Sequence, residues 1–126
     1  MKPAIVTGGA GLIGQAICAH LMAEGWDVTS FDLRAGTVGR HVPCDISDET
    51  SVTNAFAGLG WDRLDLLVNN GGKVGPNDLT PERTSMTDWR GFLESHLTGA
   101  FLMSRAAVPL LRNGGAVVMM VSTRAM

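Results

Sequence analysis

Residues 4–14 read Ala4-Ile5-Val6-Thr7-Gly8-Gly9-Ala10-Gly11-Leu12-Ile13-Gly14. A short β-branched apolar run breaks into glycines. Apolar residues then resume from Leu12 to Glu24 at helical spacing, with Ile13, Ile17 and Leu21 on one face and Gly25 as a stop. The pattern predicts a buried strand, a glycine turn and a helix. Trp26 to Phe31 is a second strand-like run, closed by Asp32-Leu33-Arg34, so the first third of the chain is a strand-helix-strand unit.

The alternation continues outward from that unit. His41 to Cys44 predicts a third strand, and Ser47-Asp48-Glu49 opens a helix expected to reach about Ala57, with a capping hydroxyl and two acids on the positive end of its dipole. Leu64 to Val68 is nearly all apolar, as a parallel strand covered on both faces must be. It stops at Asn69-Asn70-Gly71-Gly72. Lys73 to Ser85, with Pro76, Asn77 and Pro81, is expected to be a loop with a helical turn. Ser85-x-x-Asp88 then opens a long helix carrying Trp89, Phe92, Leu93, Leu97, Ala100, Phe101 and Val108. Pro109 weakens its last turn, Asn113-Gly114-Gly115 ends it, and Ala116 to Val121 is a fifth strand. Strands alternating with helices through short connections imply right-handed crossovers. The expected fold is α/β: one Rossmann-like, doubly wound parallel sheet over residues 1–126, in strand order 3-2-1-4-5 and incomplete at its C-terminal edge. Ligands of such sheets bind beyond the carboxyl ends of the strands, where the order reverses between strands 1 and 4.

The motifs gather at those ends. Gly9, Gly11 and Gly14 form G-x-G-x-x-G, and Gly8, Gly11 and Gly14 with Thr7 form T-G-x-x-G-x-x-G. Bare backbone lets a pyrophosphate approach the amides at a helix N-terminus, so a turn of this kind between a first strand and a first helix points to a dinucleotide. The cofactor-binding set begins with Thr7, Gly8, Gly9, Gly11, Leu12, Ile13 and Gly14. Asp32, eighteen residues beyond Gly14, ends the second strand with Leu33 beside it. A carboxylate there accepts bonds from ribose hydroxyls and repels a 2′-phosphate, which favours NAD over NADP; the guanidinium of nearby Arg34 pulls the other way.

With these pieces in place the chain resembles the short-chain dehydrogenase/reductase family along its whole length. Cys44-Asp45-Ile46 is similar to the family's adenine contact, which adds Asp45 and Ile46 to the cofactor set. Asn69-Asn70-Gly71-Gly72 resembles Asn-Asn-Ala-Gly, adding Asn69, Asn70 and Gly71. His96-Leu97-Thr98-Gly99 resembles an Asn-Leu-Thr-Gly helix segment, and Gly114 to Ser122 a fifth strand leading to the catalytic serine, which falls on Ser122. The T-G-x-x-G-x-x-G form is commoner in an extended, epimerase-containing branch; Asn-Asn-Gly and Leu-Thr-Gly-Ala-Phe belong to the smaller oxidoreductase branch. The resemblance implies an NAD-dependent oxidoreductase of secondary alcohols or ketones.

Two departures qualify that activity. His96 stands where the family has an asparagine that orders a relay water. On the apolar stripe it is expected to be buried, either as a core histidine bonded to a backbone carbonyl or as an imidazole holding the same water. The second departure is that the family's Tyr-x-x-x-Lys pair, general acid and its partner, is absent: the chain has no tyrosine, and its lysines are Lys2 and Lys73. The sequence therefore reads as the cofactor-binding part of such an enzyme, inactive alone. Two other readings stay open, a non-catalytic NAD-binding module and an interaction protein whose sheet another chain completes.

Composition excludes other classes. A net charge of -2, with scattered arginines, gives no field for nucleic acid. Cys18 and Cys44 are too far apart in sequence for a disulfide framework or zinc knuckle, no metal is expected, and reduced thiols suit a cytoplasmic protein. No apolar run nears the ~20 residues of a membrane span. The uncharged fifth strand, Val117 to Val121, is expected to self-associate, and a full-length form to be a homo-oligomer.

Overall fold

The structure, a computed structural model, describes residues 1–73, 80–111 and 114–122. Five strands form one sheet: β1 (Pro3–Thr7), β2 (Asp27–Asp32), β3 (Arg40–Pro43), β4 (Leu66–Asn69) and β5 (Ala116–Met119). The order is β3-β2-β1-β4-β5 and every pairing is parallel, as the alternation predicts. The helices are α1 (Leu12–Ala23), α2 (Glu49–Leu59), α3 (Met86–Leu93) and α4 (Gly99–Ala107).

The period of two in the strands divides the core in two. Ala4 and Val6 of β1 point to one face with Val28, Leu66 and Val68, where Cys18, Ile17 and Leu21 of α1 cover them. Ile5, Phe31 and Leu67 point to the other face, against Val52 and Ala55 of α2 and Leu102, Met103 and Ala107 of α4. There the Phe31 and Phe56 rings meet edge to face at 5.3 Å. Ile5, Phe31 and Leu67 are wholly buried, so the strands at the centre of the sheet are also the dry centre of the fold.

Local chemistry sets the helix ends, with three departures from expectation. The cap of α2 is the Asp48 carboxylate, which accepts the Ser51 N–H; the Ser47 hydroxyl instead donates to Asp45. The helix also runs past Ala57 to Leu59, where Gly60 closes it in the left-handed region at φ +61°. Ser85 caps α3 as predicted, accepting from Asp88 N at 3.1 Å. The expected single long helix, however, is interrupted: residues Glu94–Thr98 form a π-turn between α3 and α4, and Val108–Leu110 tighten to a 3₁₀ turn at Pro109.

Burial along these helices corrects the expected stripe. Trp89, Leu93, Leu97, Phe101 and Val108 are all exposed, and the inner face of the helix is instead Gly99, Leu102, Met103 and Ala107. Trp89 already faces solvent in α3, so a seven-residue count from it to His96 does not lead to the core, and the π-turn then shifts the face that the following helix presents. The helical turn predicted in the loop is the 3₁₀ turn Pro81–Arg83. Pro76, Asn77 and Asn113 lie outside the described residues. At the opposite side of the sheet from β3, β5 is exposed at all four positions, and Met120 and Val121 continue beyond the strand.

Candidate functional site

A cleft of about 730 Å³ opens at the carboxyl ends of β1, β2 and β4, at the point where the strand order reverses. Its size is that of an ordinary small-molecule site. One wall is the glycine turn. Gly8 turns the chain out of β1 at φ +66°, a conformation favouring glycine, and its carbonyl accepts Gly11 N at 3.1 Å. A Cβ at Gly14 would run into the Gly8 carbonyl, and one at Gly9 would run into the Ser30 side chain. These two glycines serve close packing of α1 and β2 on the turn. Gly11, Leu12 and Ile13 face the cleft, and Leu12 is 90% exposed. No side chain caps the first turn of α1 and no acid stands in it, so the positive end of the helix has no counter-charge from its own first turn.

Asp32 stands at the end of β2 beside this wall. Its Oδ2 accepts Ala10 N and its Oδ1 accepts Arg34 N, each at 3.0 Å. The carboxylate is therefore aimed by backbone on both sides, with Leu33 exposed next to it. Asp45 and Ile46 follow β3 into the same cleft. Asp45 is turned by Ser47, which donates to it from both N and Oγ, and the Asp45 amide donates to Ser51 Oγ at 2.9 Å. The Ile46 side chain fills a narrow space: Cβ atoms added at Gly71 and Gly99 would lie 3.0 Å and 2.9 Å from its Cδ1.

The floor joins β1 to β4. Thr7 Oγ1 accepts the amides of Asn70 and Gly71, and the Asn70 side-chain amide donates to the Thr7 carbonyl at 3.2 Å. Thr7 is fully buried, Asn69 nearly so, and neither lines the cleft; with Gly9 they position it. Asn69 donates to Ser104 Oγ at 3.2 Å, tying the end of β4 to α4.

His96 is exposed, contrary to the expectation of burial. Its ring lies where a Cβ of Gly72 would be, and Nε2 stands 2.7 Å from the Lys73 carbonyl. With Nε2 donating to that oxygen, Nδ1 is the acceptor of the neutral ring. Lys73 is held at its amide by Ser95 Oγ at 2.8 Å and at its side chain by Asp88 at 3.2 Å. Ser122, also exposed, follows β5 at the same end of the sheet and is outside the lining of the cleft. The structure thus gathers the predicted cofactor residues around one cleft and leaves the two candidate catalytic residues outside its wall. It also adds Ser47, Lys73 and Ser95 to the lining; Ser47 is marked in sequence only as part of a helix start, and no motif marks Lys73 or Ser95, whose segments the fold brings together. Burial pushes the thiols of Cys18 and Cys44 up from their ordinary range. Among the described residues no helix is long and apolar enough to cross a membrane.

Comparison with known proteins agrees with this architecture. The family model for short chain dehydrogenase matches residues 2–126. D-threitol dehydrogenase of Mycolicibacterium smegmatis is 35% identical over 98% of this chain and 54% of its own length. The ligand-free aldohexose dehydrogenase of Thermoplasma acidophilum superposes with a TM-score of 0.89 at 26% identity, over 98% of this chain and 50% of that one. A 3-ketoacyl-(acyl-carrier-protein) reductase from Brucella melitensis, solved with NADH, superposes at 0.77 and 25% identity, over 86% of this chain and 50% of that one. This chain therefore spans about half the length of the relatives it matches. A parallel sheet with a glycine turn at its switch point, a backbone-held carboxylate after β2 and a family match from residue 2 to residue 126 place the chain in the short chain dehydrogenase family, whose members bind a nicotinamide dinucleotide.

Proposed function

We propose that this chain is the NAD-binding part of a cytoplasmic dehydrogenase or reductase acting on a secondary alcohol or ketone. The observation that carries the reading is Asp32. Its carboxylate is fixed by the Ala10 and Arg34 amides among the residues that line the cleft, where it offers acceptors to ribose hydroxyls and sets a negative charge against a 2′-phosphate. The donor set fits a dinucleotide: uncapped amides of α1 for the pyrophosphate, and Asp45 with the Ile46 wall for the base. Bound in this cleft, the nicotinamide supplies the hydride acceptor or donor.

Ser122 is assigned to the substrate oxygen as a hydrogen-bonding partner, and His96 to a relay water through Nδ1. Neither replaces a strong acid at the reacting oxygen. The chain has no tyrosine and Lys73 is engaged by Asp88, so on this reading the proton donor is not among these residues; the family resemblance assigns it to a Tyr-x-x-x-Lys pair. Partners follow the same logic: a small alcohol or ketone as substrate, and further copies of the protein in a homo-oligomer.

Titration with NADH and NADPH tests the assignment, with NADH expected to bind at least about tenfold more tightly. Equal or tighter NADPH binding would mean that Arg34 governs the site. For catalysis, the 126-residue chain is expected at background, with turnover restored when a Tyr-x-x-x-Lys segment is supplied and lowered again by Ser122→Ala. Cofactor-dependent turnover by the 126 residues alone would overturn the catalytic assignment. The lack of tyrosine also favours a second reading, a binding module without chemistry; it holds if a chain that binds NADH gains no turnover from that segment.

A further inference from the structure

The segment after β2 folds back over the glycine turn, and two side chains hold it there. Gln15, on the first turn of α1, donates from Nε2 to the Ala10 carbonyl at 3.0 Å. Its Oε1 accepts the Thr37 hydroxyl at 2.7 Å. Gly36 sits directly on the turn: a Cβ there would lie 3.2 Å from Ala10 Cα and 3.3 Å from the Gly9 carbonyl oxygen. Ala10 in turn donates to Asp32, which also accepts from Arg34. The contacts close a ring, from Asp32 to Ala10 to Gln15 to Thr37 and back along the chain through Gly36 and Arg34.

We propose that Gln15 and Thr37 form a latch that holds the Asp32 to Thr37 segment against the glycine turn and so determines discrimination against a 2′-phosphorylated dinucleotide. The inference rests on the NAD reading of the cleft. It differs in assigning the selectivity to the pinned loop as well as to the carboxylate. With the latch closed, the Arg34 backbone is committed to Asp32 and its exposed guanidinium is carried by a fixed segment. With the latch open, that segment loses its hold on α1, the Arg34 amide leaves Asp32, and the guanidinium gains the freedom to turn toward a phosphate. A hydroxyl and an amide on opposite sides of the joint suit this role: Gln15 is anchored to the turn through Nε2, while its Oε1 meets the Thr37 hydroxyl only when the loop is down.

The test is the ratio of NADPH to NADH dissociation constants in the full chain, for wild type, Gln15→Ala, Thr37→Val and Thr37→Ser. Thr37 is exposed, so its variants should keep the fold even if Gln15→Ala does not. Loss of one such hydrogen bond should lower the ratio by roughly threefold to tenfold. Thr37→Ser should retain the wild-type ratio, and Arg34→Ala added to Thr37→Val should restore it. Variants that weaken both dinucleotides equally, with the ratio unchanged, overturn the latch while leaving the NAD reading intact. Wild-type protein that binds neither dinucleotide, or prefers NADPH, overturns the NAD reading itself.

Discussion

The Thr7 hydroxyl accepts the Gly71 amide at 2.8 Å, and through this bond the ends of β1 and β4 meet beneath the cleft. The same oxygen takes the Asn70 amide at 3.0 Å. Thr7→Val keeps the shape but strands both N–H groups in a partly buried place. The expected cost is about 1–3 kcal/mol, read by urea unfolding, with NADH affinity falling further because the floor of the cleft is displaced. Unchanged stability would show that these two bonds do not hold the strand ends together.

Gly72 and His96 should be coupled. A methyl at Gly72 would occupy the place of the imidazole, so Gly72→Ala should expel the ring from the Lys73 carbonyl and destabilise the chain. In a His96→Ala background the same change should be nearly neutral, a coupling on the order of 1 kcal/mol in a double-mutant cycle of melting experiments. Additive effects would disprove the contact.

Alkaline pH should weaken the fold through its thiols. Burial raises the Cys18 thiol; burial also raises Cys44, opposed by its hydrogen bond from Ser51 and reinforced by Asp45 and Asp48. An acid whose folded value is raised stays protonated in the native state while the unfolded chain ionises. The stabilisation is complete below the ordinary thiol range and is lost as pH rises through and above it. Melting temperature should fall between pH 8 and about pH 10, less steeply in Cys18→Ala.

The β5 edge should drive association. Val117, Val118, Met119 and Met120 are each 39 to 50% exposed, with no charge among them. Such an edge is a template for another strand. Sedimentation velocity of the 126-residue chain should show concentration-dependent association, reduced by Val118→Lys; a monodisperse monomer at high concentration would refute it.

The fold was legible because its signals are local. Strand order followed from alternating strands and helices, and the glycine turn from spacing alone. The rim of the cleft was nearly as legible, since Asp32, Asp45 and Asn70 sit at strand ends that a parallel sheet brings together. The helix after Ser85 was not. It carries apolar residues on two faces, and Trp89, Leu93 and Leu97 look as core-like in sequence as Leu102 and Met103 do; only tertiary packing selects between them. The π-turn leaves no composition signal, so the orientation of His96 could not be counted off. Gln15 and Thr37 were invisible for a different reason: two ordinary polar residues, far apart in sequence, acquire meaning only from the loop that joins them.

Ile46 is wedged between two positions that have no side chain, Gly71 on one strand end and Gly99 on the helix behind it. Ile46 thus owes its seat to what its neighbours lack: a single methyl added at either glycine would press on its Cδ1, so this side of the cleft is shaped by two missing side chains as much as by the one that fills the space.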